Sequence, residues 1–268
     1  MKIIKYDDGL KFIKENEHFL NYDVFSKIQT AFFYGNAVRV NKEDKNSFAV
    51  KIEEEKSELV FLNESKMHAL IYGSLNLASE MAHYVAQNHS PIQKLLGEKK
   101  LVEAFMAEYQ KSYYILQDMS IMYCNHPLNI NNYSITQCKA LDIPQLIDFI
   151  IGFYKDALKE EIGEQEANSF LNQNYQDIYF LRLNNQIVSM AMKTRSTVES
   201  CCISHVYTKK EYRNCGYAKE VVTYVVNQII YEHKLPYLYV DKTNPISNRL
   251  YQHIGFSYLC DCIKIKVN

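Results

Sequence analysis

The residues of this chain whose types and spacing could do chemistry begin in the stretch VYTKKEYRNCGYAKEVVTYVVNQII, Val206 to Ile230. A short apolar run passes into a polar turn that holds one glycine, Gly216, and a helical pattern follows at once, with Ala218, Val221, Val222, Val225 and Ile229 in one apolar stripe. Amide N–H groups at the start of a helix have no carbonyl partner inside it, and the helix dipole adds partial positive charge there. A strand feeding such a turn therefore makes an anion-binding loop, with a phosphate or pyrophosphate as its natural guest. Gly216 lets the backbone lie against a ligand and take a positive φ, and Ala218 keeps a second close approach nearly open. Two familiar phosphate loops are excluded by the same residues. Cys215-Gly216-Tyr217 lacks the Gly-Lys-Ser/Thr ending of a Walker A loop, and one glycine cannot make the Gly-x-Gly-x-x-Gly of a dinucleotide fingerprint. What remains is Arg213-x-x-Gly216-x-Ala218.

A second cluster follows the strand-like run Tyr237 to Asp241, in KTNPISNRLYQHIGF. Pro245 suits a first helical turn, Asn244 stands where an N-cap belongs, and Gly255 where a C′ glycine does, so a short helix of about three turns is expected. Asn244 and Tyr251 then lie within roughly 20° of one another on its surface, with Ser247 and Asn248 beside them. From this helix alone two readings stand side by side. Tyr251 is either one of twenty-two tyrosines at a core edge, with Asn244 a mere cap, or a phenol set in a polar stripe for chemistry.

The two motifs together resemble those of the GNAT superfamily of acyl-CoA-dependent N-acetyltransferases. That family carries Arg/Gln-x-x-Gly-x-Gly/Ala after a strand and, one helix and one strand later, Asn-x-x-Ser/Ala-x-x-x-Tyr followed by Gly-Phe. The resemblance is good over 133–268 and loose over the whole chain, and it looks most like the tandem branch that includes glycine N-acyltransferase-like proteins. Lys209-Lys210 stand where that branch often has prolines, and Asn214 replaces a frequent glycine, departures that bear on the rigidity of the loop.

The resemblance implies roles. Val206, Tyr207 and Thr208 match the strand that splays from its neighbour and pairs with pantetheine, and the Val206 N–H would polarise the thioester carbonyl. Arg213, Asn214, Cys215, Gly216, Tyr217, Ala218 and Lys219 would hold the pyrophosphate of acetyl-CoA, the acyl donor. Asn244 and Ser247 would touch coenzyme A, and Tyr251 would protonate the departing thiolate. The acceptor, a small-molecule or peptide amine, must be neutral to attack, yet an alkylammonium with pKa ~10.4 is almost wholly protonated at pH 7. Glu199 is the first candidate to take that proton and His205 the second, although Glu199 also suits a solvated turn and His205 a hydrogen-bonded core position. The implied reaction is acetyl transfer to a primary amine by direct attack in a ternary complex. The alternative is an acyl-CoA-binding sensor or scaffold without turnover.

Around these residues, 268 residues at 47% hydrophobic and 23% charged can bury one large core or two ordinary ones. A net charge of −1 gives no reason to expect nucleic acid or an anionic membrane as a general partner. The apolar runs fall far short of the ~18 residues that span a bilayer, and MKIIKYDDGLKF is broken by charge too early for a secretory signal, so a cytoplasmic location is expected. Seven cysteines form no CxxC pair, and no structural metal is expected.

The elements that must position the motifs read as two passes of one α/β grammar. Helices are expected over 7–20 and 22–35, strands at Phe48–Ile52, Leu59–Leu62 and Met67–Tyr72, a helix over Leu75–Ala86, another after Gly97, and a strand over Tyr114–Met122. Asn125 to Asn132 reads as a linker. The second pass has a strand from Tyr133 to Gln137, helices across Ile143–Leu158 and Asn168–Tyr175, and strands at Ile178–Leu183 and Gln186–Thr194 joined by Asn184-Asn185 as a type I′ hairpin. Cys201–Thr208 follows as the strand before the loop. The expected architecture is two tandem GNAT-like units, each a mixed, mostly antiparallel sheet flanked by helices. Residues 1–128 would be a degenerate unit, because Gly73-Ser74-Leu75-Asn76-Leu77 lacks the loop motif, and 129–268 would bind acetyl-CoA.

Overall fold

The computed structural model describes residues 1–20, 23–38, 40, 44, 46–64, 68–129 and 134–268. The expected starts at Tyr22, Met67 and Tyr133, and the linker's last residues, 130–132, lie outside that set. The chain forms two compact units that exchange segments. The first comprises Met1–Ile121, Val240–Pro245 and Tyr258–Asn268, and the second comprises Met122–Tyr239 and Ile246–Ser257.

In the first unit, strand β1 (Lys2–Tyr6) leads to helices α1 (Gly9–Leu20) and α2 (Val24–Ala37). Asp23 caps α2, accepting from the Ser26 amide at 2.7 Å. Strands β2 (Phe48–Glu54), β3 (Ser57–Asn63) and β4 (Ala69–Gly73) form an antiparallel meander. Helix α3 (Ala78–Asn88), strand β5 (Lys94–Glu98), helix α4 (Lys99–Tyr109) and strand β6 (Tyr113–Tyr123) complete the N-terminal part. β5 runs parallel to β4, and the last strand of the chain, β12 (Ser257–Val267), pairs antiparallel with it, Ile263 against Gly97 and Ile265 against Leu95. Ile263 and Ile265 are fully buried in the core that Phe61, Met81 and Phe105 share.

The second unit carries strand β7 (Ile135–Gln137), helix α5 (Ile143–Phe153), helix α6 (Glu164–Asn174), strands β8 (Ile178–Leu183), β9 (Gln186–Thr194) and β10 (Ser200–Thr208), helix α7 (Tyr217–Tyr231), strand β11 (Leu235–Asp241) and helix α8 (Pro245–Ile254). Its sheet runs β11-β10-β9-β8-β7, antiparallel except for the parallel β10–β11 pair. Asn184 and Asn185 both take positive φ, 45° and 64°, as the expected hairpin turn requires. α7 buries Val221, Val222, Val225 and Ile229, the stripe read from the sequence, against β8, β9 and β10. α5 and α6 cover the other apolar set, with Phe149, Ile150, Leu171, Met190 and Met192 in one core.

The mixed α/β class with mostly antiparallel sheets and flanking helices is therefore as expected, and the departures have physical causes. β1 is exposed over most of its length, so it carries little hydrophobic alternation. β5 is five residues with a glycine inside, too short for a period to register. The helix expected across Ile143–Leu158 is α-helical only to Phe153 and widens into a π-helical turn over Tyr154–Leu158. No helix among the described residues is long and apolar enough to cross a membrane.

Candidate functional site

The site is built where β10 changes partners. Its parallel register with β11 covers Ser200↔Leu235 to Cys202↔Tyr237 and goes no further. Its antiparallel register with β9 slips between Ser204, opposite Met192, and Tyr207, opposite Met190, so two residues face one and the strand bulges at His205-Val206. His205 takes a φ of +48°, a left-handed conformation that costs a residue with a Cβ roughly 1–2 kcal/mol. Beyond Cys202 the backbone of β10 is thus directed away from β11 and, at the bulge, from β9 as well.

Thr208 ends the strand, with its hydroxyl 2.8 Å from that of Ser189. A short 3₁₀ turn, Lys210–Tyr212, precedes the loop. Asn214 adopts φ +63° and Gly216 φ +83°, so Asn214 supplies the left-handed geometry that a glycine would otherwise give. A Cβ at Gly216 would meet no atom within 4 Å. Glycine is needed here for its conformation, and the space above it is open. Arg213 through Gly216 are all exposed, and the helix begins at Tyr217, with Ala218 and Lys219 in its first turn. The dipole of a fifteen-residue helix points its positive end at this loop.

The Arg213 side chain is turned back onto the protein. It donates to the Thr208 carbonyl at 3.0 Å and to Asp156 Oδ2 at 2.7 Å, and its guanidinium lies 5.4 Å from the centre of the Tyr207 ring. The Arg213 hydrogen bond holds the Asp156 carboxyl below its ordinary range. Asp156 lies in the π-helical turn, so the widening after α5 gives the loop its anchor. Tyr207 leans on α5 where residue 152 is glycine, and a Cβ there would come within 2.4 Å of its Oη. Burial pushes the Tyr207 phenol up. Cys215 is exposed, its thiol directed to the Arg213 carbonyl at 3.5 Å.

His205 is half-buried among aromatic rings, with Phe153, Phe170 and Tyr154 at centroid distances of 4.6, 4.9 and 6.2 Å. Burial and, after it, the charge of Arg195 hold its pKa down, to about 4. Its Nδ1 lies 2.9 Å from Ser204 Oγ, which is 3.1 Å from Thr194 Oγ1. Arg195, itself at φ +46°, donates to Cys202 Sγ at 2.8 Å and sits 5.6 Å from the Tyr239 ring centre. Tyr251 is buried on α8, edge-on to Phe256 at 5.8 Å. Burial raises its phenol above the usual tyrosine range, and Cys202 adds to the rise. Tyr251 and His205 are thus both tied electrostatically to the Cys202–Arg195 pair.

Glu199 is not part of this group. It lies just before β10, its carbonyl accepting from the Leu235 amide at 2.9 Å, six residues and so roughly 20 Å of extended chain from His205. Ser247 is half-buried on α8 and shares the stripe of Tyr251. Asn244 directly precedes that helix, its amide donating to the Asp241 carbonyl at 3.0 Å, within a segment counted with the first unit. Thr194, Arg195, Ser204 and the aromatic rings around His205 were not singled out from the sequence, since a lone Arg after a strand and hydroxyls within strands carry no spacing signal. Gly152, inside an apolar helix, is the one visible hint. Among the described residues there is no group of three or more His, Cys, Asp or Glu that could hold a metal ion.

The parted strands, the bulge and the loop over a helix N-terminus decide the architecture. The fold is the GNAT fold. A GNAT-family acetyltransferase from Colwellia psychrerythraea superposes with a TM-score of 0.66 at 9% identity, covering 100% of this chain and 99% of its own. A GCN5-related N-acetyltransferase from Sphaerobacter thermophilus gives 0.62 at 12% identity, over 99% and 95%. A tandem GNAT protein from the clavulanic acid biosynthesis pathway gives 0.55 at 7%, over 99% and 98%. A family model, FR47-like protein, matches residues 183–264, which span β9 through most of β12. No curated protein matches the chain in sequence.

Proposed function

We propose that the second unit of this GNAT fold transfers acetyl from acetyl-CoA to a primary amine by direct attack in a ternary complex. The observation that carries the reading is the parting of β10 from β11 after Cys202, combined with the bulge at His205-Val206. It leaves β10 backbone groups free of both neighbouring ladders, as an added pantetheine strand would require. The backbone from Val206 through Thr208 would pair with the donor, the Val206 amide would stabilise the oxyanion, and the amides of Asn214 through Lys219 would hold the diphosphate. Arg213 serves by fixing the loop to Asp156 and Thr208. Asn244 and Ser247 would add polar contacts to the carrier.

The chemistry follows from acidity. The amine nitrogen attacks the thioester carbonyl, the C–S bond breaks, and the thiolate takes a proton from Tyr251, whose raised pKa keeps it protonated at neutral pH. Of the two expected proton acceptors, His205, which burial keeps neutral at pH 7, would take the amine proton. Residues 129–268 would carry this activity and 1–128 would act as a degenerate scaffold. The branch would be that of glycine N-acyltransferase-like proteins, in a cytoplasm that suits seven unbridged thiols. The low basicity of His205 favours one second reading, an acyl-CoA sensor without turnover.

Calorimetric titration with acetyl-CoA, followed by a coenzyme A release assay across amino acids, polyamines and lysine peptides, separates the two. Binding with release supports transfer, binding without release on any amine supports the sensor, and no binding overturns both.

A further inference from the structure

We propose that Ser204 and Thr194 form a proton path from His205 to a polar cavity at the end of β9, and so act as positioning residues for deprotonation of the acceptor. The inference rests on the reading of His205 as the group that meets the amine. The first observation is connectivity. His205 Nδ1, Ser204 Oγ and Thr194 Oγ1 are joined by contacts of 2.9 and 3.1 Å, and each hydroxyl can donate or accept. The second is an outlet. Thr194 lines a cavity of about 340 Å³ whose other walls include Asp177, Lys193, Glu232 and Lys234. That volume accommodates several waters, and its charged walls give them partners.

The third observation is that the imidazole is a poor place to leave a proton. Phe153, Tyr154 and Phe170 surround it, and Arg195 adds positive charge from the end of β9. Passing the proton on avoids the imidazolium altogether. The amine N–H bond breaks as a proton reaches Nε2, and the proton on Nδ1 moves to Ser204 Oγ. The Ser204 O–H proton moves to Thr194 Oγ1, and the Thr194 proton goes to a water in the cavity. Every O–H or N–H bond broken is matched by one formed, and the ring ends neutral in its other tautomer. Rotation of the two hydroxyls and return of the ring proton reset the path. No oxidant, metal or further reactant is needed.

The experiment uses the full chain labelled with ¹⁵N-histidine, as wild type, Ser204→Ala, Ser204→Thr and Thr194→Val. Imidazole ¹⁵N shifts between pH 5 and 8 should show His205 neutral and in a single tautomer in the wild type. Ser204→Ala should shift it to a mixture, and Ser204→Thr should restore the single form. With glycine, spermidine or a lysine peptide as acceptor, kcat should fall about 10–100-fold in Ser204→Ala and Thr194→Val with KM unchanged, and the D₂O effect on kcat should change. An unaltered tautomer in Ser204→Ala overturns the proposal, as does an altered tautomer with unchanged kcat on an amine the wild type turns over. Absence of acetyl-CoA binding to the wild type instead overturns the acetyltransferase reading, while the tautomer measurement still decides whether Ser204 orients the ring.

Discussion

Tyr251 and His205 show opposite effects of the same environment. Burial keeps the phenol protonated and the imidazole unprotonated, so one is ready to give a proton and the other is not holding one. Tyr251→Phe is expected to lower turnover by about 10²–10⁴ while acetyl-CoA affinity stays within about twofold, measured by coenzyme A release and calorimetry. For His205 the sign of the pH effect is fixed by its folded pKa of about 4 lying below the unfolded value of roughly 6.5. Between those values the unfolded chain binds a proton that the folded chain does not, so stability is lost as pH falls from ~6.5 to ~4. His205→Gln should flatten that part of a denaturation midpoint against pH profile. Gly216 was legible as a loop glycine from its place after a strand. The positive φ of His205 and Arg195 was not, because nothing in a residue type announces strain imposed by a bulge.

α5 and the turn that follows it carry much of the geometry that β10 needs. Gly152 allows the Tyr207 ring to lie against the helix, and Asp156 in the widened turn fixes Arg213. Gly152→Ala should displace Tyr207 and cost about 1–3 kcal/mol, read as a lowered thermal midpoint. Asp156→Asn breaks a pair whose partners are 30% and 40% exposed, so stability should move by less than about 1 kcal/mol. Its effect should fall instead on acetyl-CoA association, measured by stopped flow, because the loop loses its tether. The hairpin at Asn184-Asn185, the α7 stripe and the α8 helix ending at Gly255 were all readable because period and turn chemistry agree locally. The end of α5 was not, since a single five-residue π-helical turn is too short for its period to be told from the α-helical one. β5 was missed because it is five residues long and its evidence lies in pairing with β12 far along the chain, which no local window contains.

Each unit draws on separated parts of the sequence. Val240–Pro245 and Tyr258–Asn268 belong to the first, with Ile246–Ser257 returned to the second between them. A chain ending at Ser257 therefore leaves β5 without β12 and removes Ile263 and Ile265, fully buried, from the first core. It should be insoluble or protease-sensitive through residues 1–121, as limited proteolysis with mass spectrometry would show. A fragment starting at 129 carries the converse problem, an apolar strand with no β5 to pair with, and should associate on size-exclusion chromatography. The interleaving also orders events on the ribosome. The opening half of the polypeptide emerges early but waits, one strand short, until β12 has cleared the exit tunnel. The part made first thus waits on a segment made much later, and chaperone engagement with nascent chains should persist over the first unit until β12 has emerged.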